Sequence, residues 1–237
     1  MKKKIPGALL TLVLALLLSS APAFPQSAVP DTIAQRSAAC EACHGRQGRG
    51  AGTGDGYAPR IAGKPAGYLY NQLVNFREGR RQYQPMTYMV SYLSDAYLME
   101  IARYFSEIHL PYPVRPSVSA SPLQLDRGRE LVMHGDAALK VPACIACHGK
   151  NLTGYGSAIP ALVGLPHDYL NAQFGNWKNR SRYAAEPDCM AAIVSHLNPG
   201  DISAVSIWLA AQRVPADSAP AAALPEPLPI QCGSVPQ

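Results

Sequence analysis

The sequence predicts an all-α fold made of two tandem copies of one small domain. Three pairs of similar residues, taken from the two ends of each copy, are separated by the same 104 positions: Cys40 and Cys144, Leu93 and Leu197, and Tyr104 and Trp208. Apolar residues between these markers recur at helical spacing, and Gly- or Pro-rich stretches interrupt them. The matching distances at both ends indicate a duplicated unit of about 85–90 residues.

Each copy contains the pentapeptide Cys-x-x-Cys-His, at residues 40–44 and 144–148. In c-type haem attachment, two thiols form thioethers on one porphyrin edge, and the imidazole that follows reaches the iron. A zinc site or a redox-active dithiol is the alternative, but tetrahedral zinc requires four donors at one point, and each motif supplies three. We expect two covalent haem c groups, with the thioether and proximal histidine positions at Cys40, Cys43 and His44 and at Cys144, Cys147 and His148.

Methionines are the candidates for the sixth iron ligand, because a thioether raises the reduction potential of a haem. Met190 is the only methionine after the second motif, and the residue 104 positions before it is Met86. Met89 has no counterpart in the second copy. We predict that Met86 and Met190 bind iron. Ligation by Met89 in place of Met86 and thiolate ligation by Cys189 are the alternatives, and a Met89 that does not bind iron is expected to pack against the haem edge.

Helical spacing and caps place the elements of the first copy. A helix over 32–39 is expected to lead into the motif, and residues 45–56 are expected to form a loop. A helix over 66–78 follows, and then a loop over 79–92. The last helix spans 94–108, with Ser94 as a candidate N-cap.

The second copy repeats this order. A helix over 125–133 precedes the motif, and a closing helix spans 198–210, with Asn198 or Asp201 near its start. Between them, Tyr169, Leu170 and Gln173 repeat the pattern of the helix over 66–78. The run Arg77, Arg80 and Arg81 is interpreted as a solvated helix end, with contact to a haem propionate as the alternative.

The beginning of the chain predicts export. A basic segment at Lys2–Lys4, an apolar run over 5–18 and Ala21-Pro22-Ala23 form a secretory signal peptide over 1–23. Retention as an N-terminal anchor is the alternative. We therefore expect a periplasmic protein with domains at 24–112 and 123–212, a linker at 113–122, and a Pro/Ala-rich tail at 213–237.

Composition argues against nucleic acid as a partner. The formal net charge of +5 falls to +2 when the three lysines of the signal are removed, and haem propionates lower it further. The chain has no long basic tract with interleaved aromatic residues.

Two of the six cysteines lie outside the motifs, Cys189 and Cys232. Disulfides persist in exported proteins, so we predict a bridge between them that holds the tail over the Met190 side of the second haem. Two unpaired thiols are the alternative.

Several segments together resemble the dihaem cytochrome c4 family over about residues 32–212. They are Cys43–Gly45, Ala58–Gly63, Phe76–Arg80, Met86 with Leu93–Asp95, and Val141–Gly149. The resemblance implies two class I cytochrome c domains related by a pseudo-two-fold axis, with His–Met ligation and haems close enough for fast electron exchange. It also implies that the carbonyls of Pro59 and Pro160 accept the N–H of the proximal histidines. The Pro-rich tail is not part of the family's common core.

These observations predict an electron carrier rather than an enzyme. The expected partners are a redox donor and acceptor, such as a dehydrogenase, a bc1 complex or a terminal oxidase, and peripheral association with the membrane is compatible with the sequence. A dihaem redox enzyme of the peroxidase or thiosulfate-oxidising type is one alternative. It requires a labile iron position, which the methionine in each copy argues against. A permanent cytochrome subunit of a dehydrogenase is the other alternative.

Overall fold

A computed structural model describes residues 31–52, 56–113 and 118–235. The predicted signal peptide and positions 114–117 of the predicted linker lie outside the described residues. Ile33–Gln237 is a single compact unit that contains both sequence repeats.

The first repeat contains five α-helices and one 3₁₀ turn among its described residues. They are α1 (Ile33–Arg36), α2 (Ala38–His44), the 3₁₀ turn (Arg46–Gly48), α3 (Ala66–Arg77), α4 (Gln84–Val90) and α5 (Asp95–Ser106). Ser94 caps α5 by accepting a hydrogen bond from the backbone N–H of Tyr97, as its position before the apolar run predicts.

The second repeat follows the same order. Its helices are α6 (Pro122–Met133), α7 (Ile145–His148), α8 (His167–Lys178), α9 (Cys189–Ser195) and α10 (Pro199–Ala211). Asn198 and Asp201 form a reciprocal capping box at the start of α10, and Ser121 with Gln124 forms one at α6.

The all-α prediction is confirmed, since the described ranges contain helices and only isolated β-bridges. Two local predictions are wrong. The segment over 79–92, expected to be a loop, contains the two-turn helix α4. Pro85 stands in the first turn of α4, where a backbone N–H has no acceptor within the helix, so proline is tolerated there. The segment also lacks the apolar periodicity by which longer helices are recognised. The loop over 45–56 likewise includes a 3₁₀ turn.

In the second repeat, the first and last helices, α6 and α10, pack against each other, α8 packs against α10, and together they enclose the core. Gly128 of α6 lies against the backbone carbonyl of Ala204 and the Cβ of Trp208 on α10, so the two helices approach closely at this point. In the first repeat, α3 packs against α5 and α1 against α5. Each repeat therefore brings its N-terminal and C-terminal helices together.

The C-terminal tail has no helix over its described residues, 213–235, but it lies against the second repeat. The backbone of Ala221 pairs with Gly154 and Gly156, through hydrogen bonds of 2.9 Å in each direction. Cys232 is 5% exposed. The sequence predicts a segment without regular secondary structure. The hydrogen bonds of Ala221 and the burial of Cys232 hold this segment against the second repeat.

Candidate functional site

The second Cys-x-x-Cys-His motif lies in the wall of an apolar cavity. Cys144, Cys147 and His148 line one part of it, and Met190 on α9 also lines it. Side chains of the surrounding helices complete the lining, among them Leu131, Leu170, Phe174, Ile193 and Val205. The structure thus brings the four residues predicted for the second haem into one apolar cavity.

The histidines of the two motifs make the same hydrogen bond. Nδ1 of His44 lies 2.7 Å from the carbonyl oxygen of Pro59, and Nδ1 of His148 lies 2.8 Å from that of Pro160. A carbonyl oxygen only accepts, so Nδ1 carries the proton and Nε2 is the ring atom available to a metal. Burial lowers the pKa of both imidazoles, opposed by the bond to the proline carbonyl. A neutral ring is the form that binds iron.

The first site is distributed over two apolar clusters. Cys40 packs against the cluster of α3 and α5 that contains Phe105, whereas Cys43 is exposed. Met86 on α4 packs against a neighbouring cluster formed by Phe76, Val90 and Leu98. The two clusters are continuous because they share three partly buried residues: Tyr70, Leu73 and Leu93. Met89 is 45% exposed.

The predicted disulfide between Cys189 and Cys232 is present, with an S–S distance of 1.98 Å. Cys189 is the first residue of α9. A sulfur in a disulfide is not a thiolate, so ligation of iron by Cys189 is incompatible with this structure.

Asp188 is a residue of the second site that the sequence reasoning misses. It is 7% exposed and accepts hydrogen bonds from the backbone N–H groups of Ala184 and Ala191 and from the Trp177 indole. These bonds fix the start of α9, immediately before Cys189 and Met190. An aspartate before an apolar run is an N-cap signal, by which this helix start can be recognised.

A polar cluster joins the two repeats, and its members occupy equivalent positions in the two repeats. Arg81 donates to Gln72 of its own repeat at 3.0 Å and to Gln173 of the other at 2.9 Å. Arg182 donates to Gln173 at 2.6 Å and to Gln72 at 3.1 Å. Arg81 also reaches the hydroxyl of Tyr169 at 3.2 Å. The backbones of Arg81 and Arg182 form an antiparallel bridge.

This cluster concentrates positive charge, and no carboxylate in the described part of the chain forms an ion pair with it. The ion pairs among the described residues include Arg77 and Arg80, both with Glu78, but not Arg81 or Arg182. Burial and the neighbouring Arg81 charge lower the pKa of Arg182 to about 10. Burial lowers the pKa of Lys64, which also borders the cavity, to about 8.

The interpretation of Arg81 as part of a solvated helix end is therefore wrong, because its guanidinium lies between the repeats. The signal that points to the cluster is the 101-residue separation, which relates Tyr68 to Tyr169, Gln72 to Gln173 and Arg81 to Arg182.

Within the described ranges, no three His, Cys, Asp or Glu side chains converge as a metal site, fewer than the four donors of tetrahedral zinc. No helix in the same ranges is both long enough and apolar enough to cross a membrane.

No family model matches the chain. It is 36% identical over 196 residues to the thiosulfate dehydrogenase electron acceptor of Thiomonas intermedia, covering 81% of this chain and 85% of that protein. It is 30% identical over 186 residues to cytochrome c4 of Azotobacter vinelandii, covering 73% and 84%.

Two solved structures are similar in fold. Reduced cytochrome c4 from Pseudomonas stutzeri superposes with a TM-score of 0.60 at 28% identity, over 73% of this chain and 93% of that one. Thiosulfate dehydrogenase TsdBA from Marichromatium purpuratum gives 0.63 at 28% identity; the match covers 75% of this chain but only 37% of that longer chain.

A duplicated helical unit with one haem-attachment motif per copy defines a dihaem c-type cytochrome. The sequence and structural relationships are specific enough to say which one: the chain belongs to the cytochrome c4 family. It carries two covalent haem c groups and acts as an electron carrier, exchanging electrons with redox proteins, rather than as an enzyme.

The residues present fit this cofactor. The apolar cavity beside Cys144 and Cys147 suits a porphyrin, and the hydrogen bond to Pro160 directs Nε2 of His148 away from the carbonyl. When bound, each haem iron supplies a site that gains or loses one electron.

Proposed function

We propose that this cytochrome is a periplasmic electron acceptor of a thiosulfate dehydrogenase. The observation that carries the proposal is the similarity, along most of both chains, to the Thiomonas intermedia protein that bears this function in its name. A second relative, from Stutzerimonas stutzeri, bears the same name. The basic, apolar and Ala-x-Ala segments at the start of the chain support export to the periplasm.

Within this function, His44 with Met86 and His148 with Met190 are the axial ligand pairs, and the motif cysteines hold the porphyrins. Met190 and His148 border the same cavity, which supports the second pair. Met86 packs against the first repeat's apolar cluster while Met89 is largely exposed, which supports Met86 over Met89. A methionine on each iron keeps the coordination closed, as suits electron transfer.

The chain's buried cations are the proposed partners of the haem propionates. Arg182 and Lys64 are 5% and 7% exposed, Arg81 is partly buried beside Arg182, and no carboxylate among the described residues forms an ion pair with them. Buried charge is stable when it is paired, and a propionate is the anion that a haem in this cavity would bring.

The test is stopped-flow reduction of the purified oxidised holoprotein. We expect rapid appearance of the ferrous haem bands when thiosulfate dehydrogenase and thiosulfate are both present. Omission of the dehydrogenase is the control, because a chain that is itself a thiosulfate-oxidising enzyme would be reduced without it.

Two results would contradict the proposal. One is reduction by thiosulfate alone. The other is no reduction by the complete mixture although ascorbate reduces both haems. Gel filtration of the mixture distinguishes a transient partner from a permanent subunit, because only the subunit co-elutes at micromolar concentration.

A further inference from the structure

The part of the C-terminal tail from Ala221 to Cys232 is fastened to the second haem site at both of its ends. At one end, Ala221 pairs with Gly154 and Gly156, and the amide of Gly154 donates to the carbonyl of His148 at 2.9 Å. At the other end, Cys232 is bonded to Cys189, which adjoins Met190. The tail therefore runs from the loop behind the motif histidine to the helix that carries the methionine.

Its last part also borders the cavity and contacts the first repeat. Cys232, Ser234 and Val235 line the cavity together with Met190. The amide of Gly233 donates to the carbonyl of Pro187 at 2.9 Å. The side-chain amide of Asn71, on α3, donates to the carbonyl of Ser234 at 2.9 Å.

The matching face of the first repeat has no such cover in the described chain. Tyr88, Met89 and Tyr92 around α4 are 77%, 45% and 95% exposed. The methionines at equivalent positions, Met86 and Met190, are both partly exposed, and the difference between the two sides is the tail, whose residues line the cavity beside Met190. The two units share a fold, so the tail is the element that makes their methionine sides different.

We propose that residues 221–235 are a strap that closes the Met190 side of the second haem pocket, and that the Cys189–Cys232 disulfide holds it shut against water and small anionic iron ligands. The proposal rests on the proposed ligation by Met190. Thiosulfate is a soft sulfur anion of the kind that competes with a thioether for iron, so a cytochrome working beside it gains from a closed pocket. The first site, without the strap, stays accessible.

The experiment uses the full-length ferric holoprotein and cyanide as the probe. Hyperfine-shifted haem methyl signals in NMR spectra resolve the two haems, so each binding rate is measured separately. In the Cys189→Ser/Cys232→Ser variant we expect cyanide to bind the second haem about tenfold faster or more, because opening no longer requires the strap to move against the disulfide. The first haem should keep the parent's rate.

A second readout does not depend on the haems. Hydrogen exchange measured by mass spectrometry should be faster over residues 216–235 in the double variant. Glu226→Ser, an exposed change in the same tail, is the matched control and should alter neither readout. Asn71→Ala removes one fastening point and leaves the disulfide intact, so it should give a smaller effect of the same sign even if the double variant folds poorly.

The strap proposal would be overturned if cyanide bound the second haem equally fast in the parent, the double cysteine variant and Asn71→Ala. Unchanged hydrogen exchange in the tail of the double variant would overturn it as well. A wrong assignment of Met190 as the iron ligand would give a different result from a failed strap. In that case the parent protein itself would lack half of the thioether-to-iron absorption at the red end of the visible spectrum.

Discussion

At the scale of single residues, the paired histidine–proline contacts explain how the chain presents a metal-binding nitrogen. The carbonyls of Pro59 and Pro160 fix the imidazole tautomer and the ring orientation at both sites. The acceptors are backbone carbonyls, so changing the side chain at position 59 or 160 does not remove them directly, and changing either histidine removes the iron ligand as well. The methionine positions are where mutagenesis is informative.

The methionine assignment predicts a set of absorption changes. Met86→Ala and Met190→Ala should each remove about half of the thioether-to-iron absorption of the ferric protein, because each takes one ligand from one of two irons. Met89→Ala is the matched control and should leave the band intact. Loss of the first site's half in the Met89 variant, with retention in the Met86 variant, would reverse the assignment.

The residues of the haem motifs are predictable because covalent attachment fixes their spacing in the sequence. Asp188 and the Arg81–Arg182 cluster are not predictable in the same way, because their importance depends on which segments meet in space. Arg81 and Arg77 look alike in sequence. Only the fold places one between the repeats and the other in ion pairs with Glu78 and Asp95.

At the scale of elements, the long amphipathic helices follow from caps and periodicity, whereas α4 does not. Seven residues make two turns, too short for apolar periodicity to be recognised, and its helical form depends on packing against its neighbours. The disulfide is predictable from compartment and cysteine count. The tail's path is not, since its hydrogen bonds are made by the backbone.

The close approach of α6 and α10 predicts the effect of adding one methyl group. Gly128→Ala should lower the free energy of unfolding by about 1–3 kcal/mol, because the new Cβ would overlap Ala204 and Trp208. Gly175→Ala on α8 is the matched control. No atom lies within 4 Å of the point where its new Cβ would stand, so it should be neutral or stabilise by about 0.5–1 kcal/mol. Denaturant titration followed by circular dichroism measures both, and equal destabilisation would refute the packing argument.

At the scale of the whole molecule, the polar cluster between the repeats predicts a shared electrostatic effect. Replacing Arg182 with Gln removes a buried positive charge from a site that both repeats contact. The ferric state gains positive charge at iron, so losing a nearby cation favours it, and both reduction potentials should fall.

Redox titration of Arg182→Gln measures this effect. Arg77→Gln is the control, because the Arg77 charge is already balanced by Glu78 and Asp95, and it should leave both potentials near the parent's. A fall in only one potential would mean that the cluster serves a single haem. Unchanged potentials in the Arg182 variant would remove the propionate assignment.

The bridge between Arg81 and Arg182 has a consequence for how such a chain could have arisen. Across this junction, Arg81 reaches Gln173 and Arg182 reaches Gln72, so each unit offers the other the same donor and receives the same acceptor. That reciprocity is the mark of an isologous contact, the kind made by two identical subunits about a two-fold axis. A chain of one unit would contain both the arginine donor and the glutamine acceptor, so two copies of it would be able to form the same reciprocal hydrogen bonds. The covalent linker between the units therefore joins, in one polypeptide, the kind of contact by which two single-haem units would pair as a homodimer.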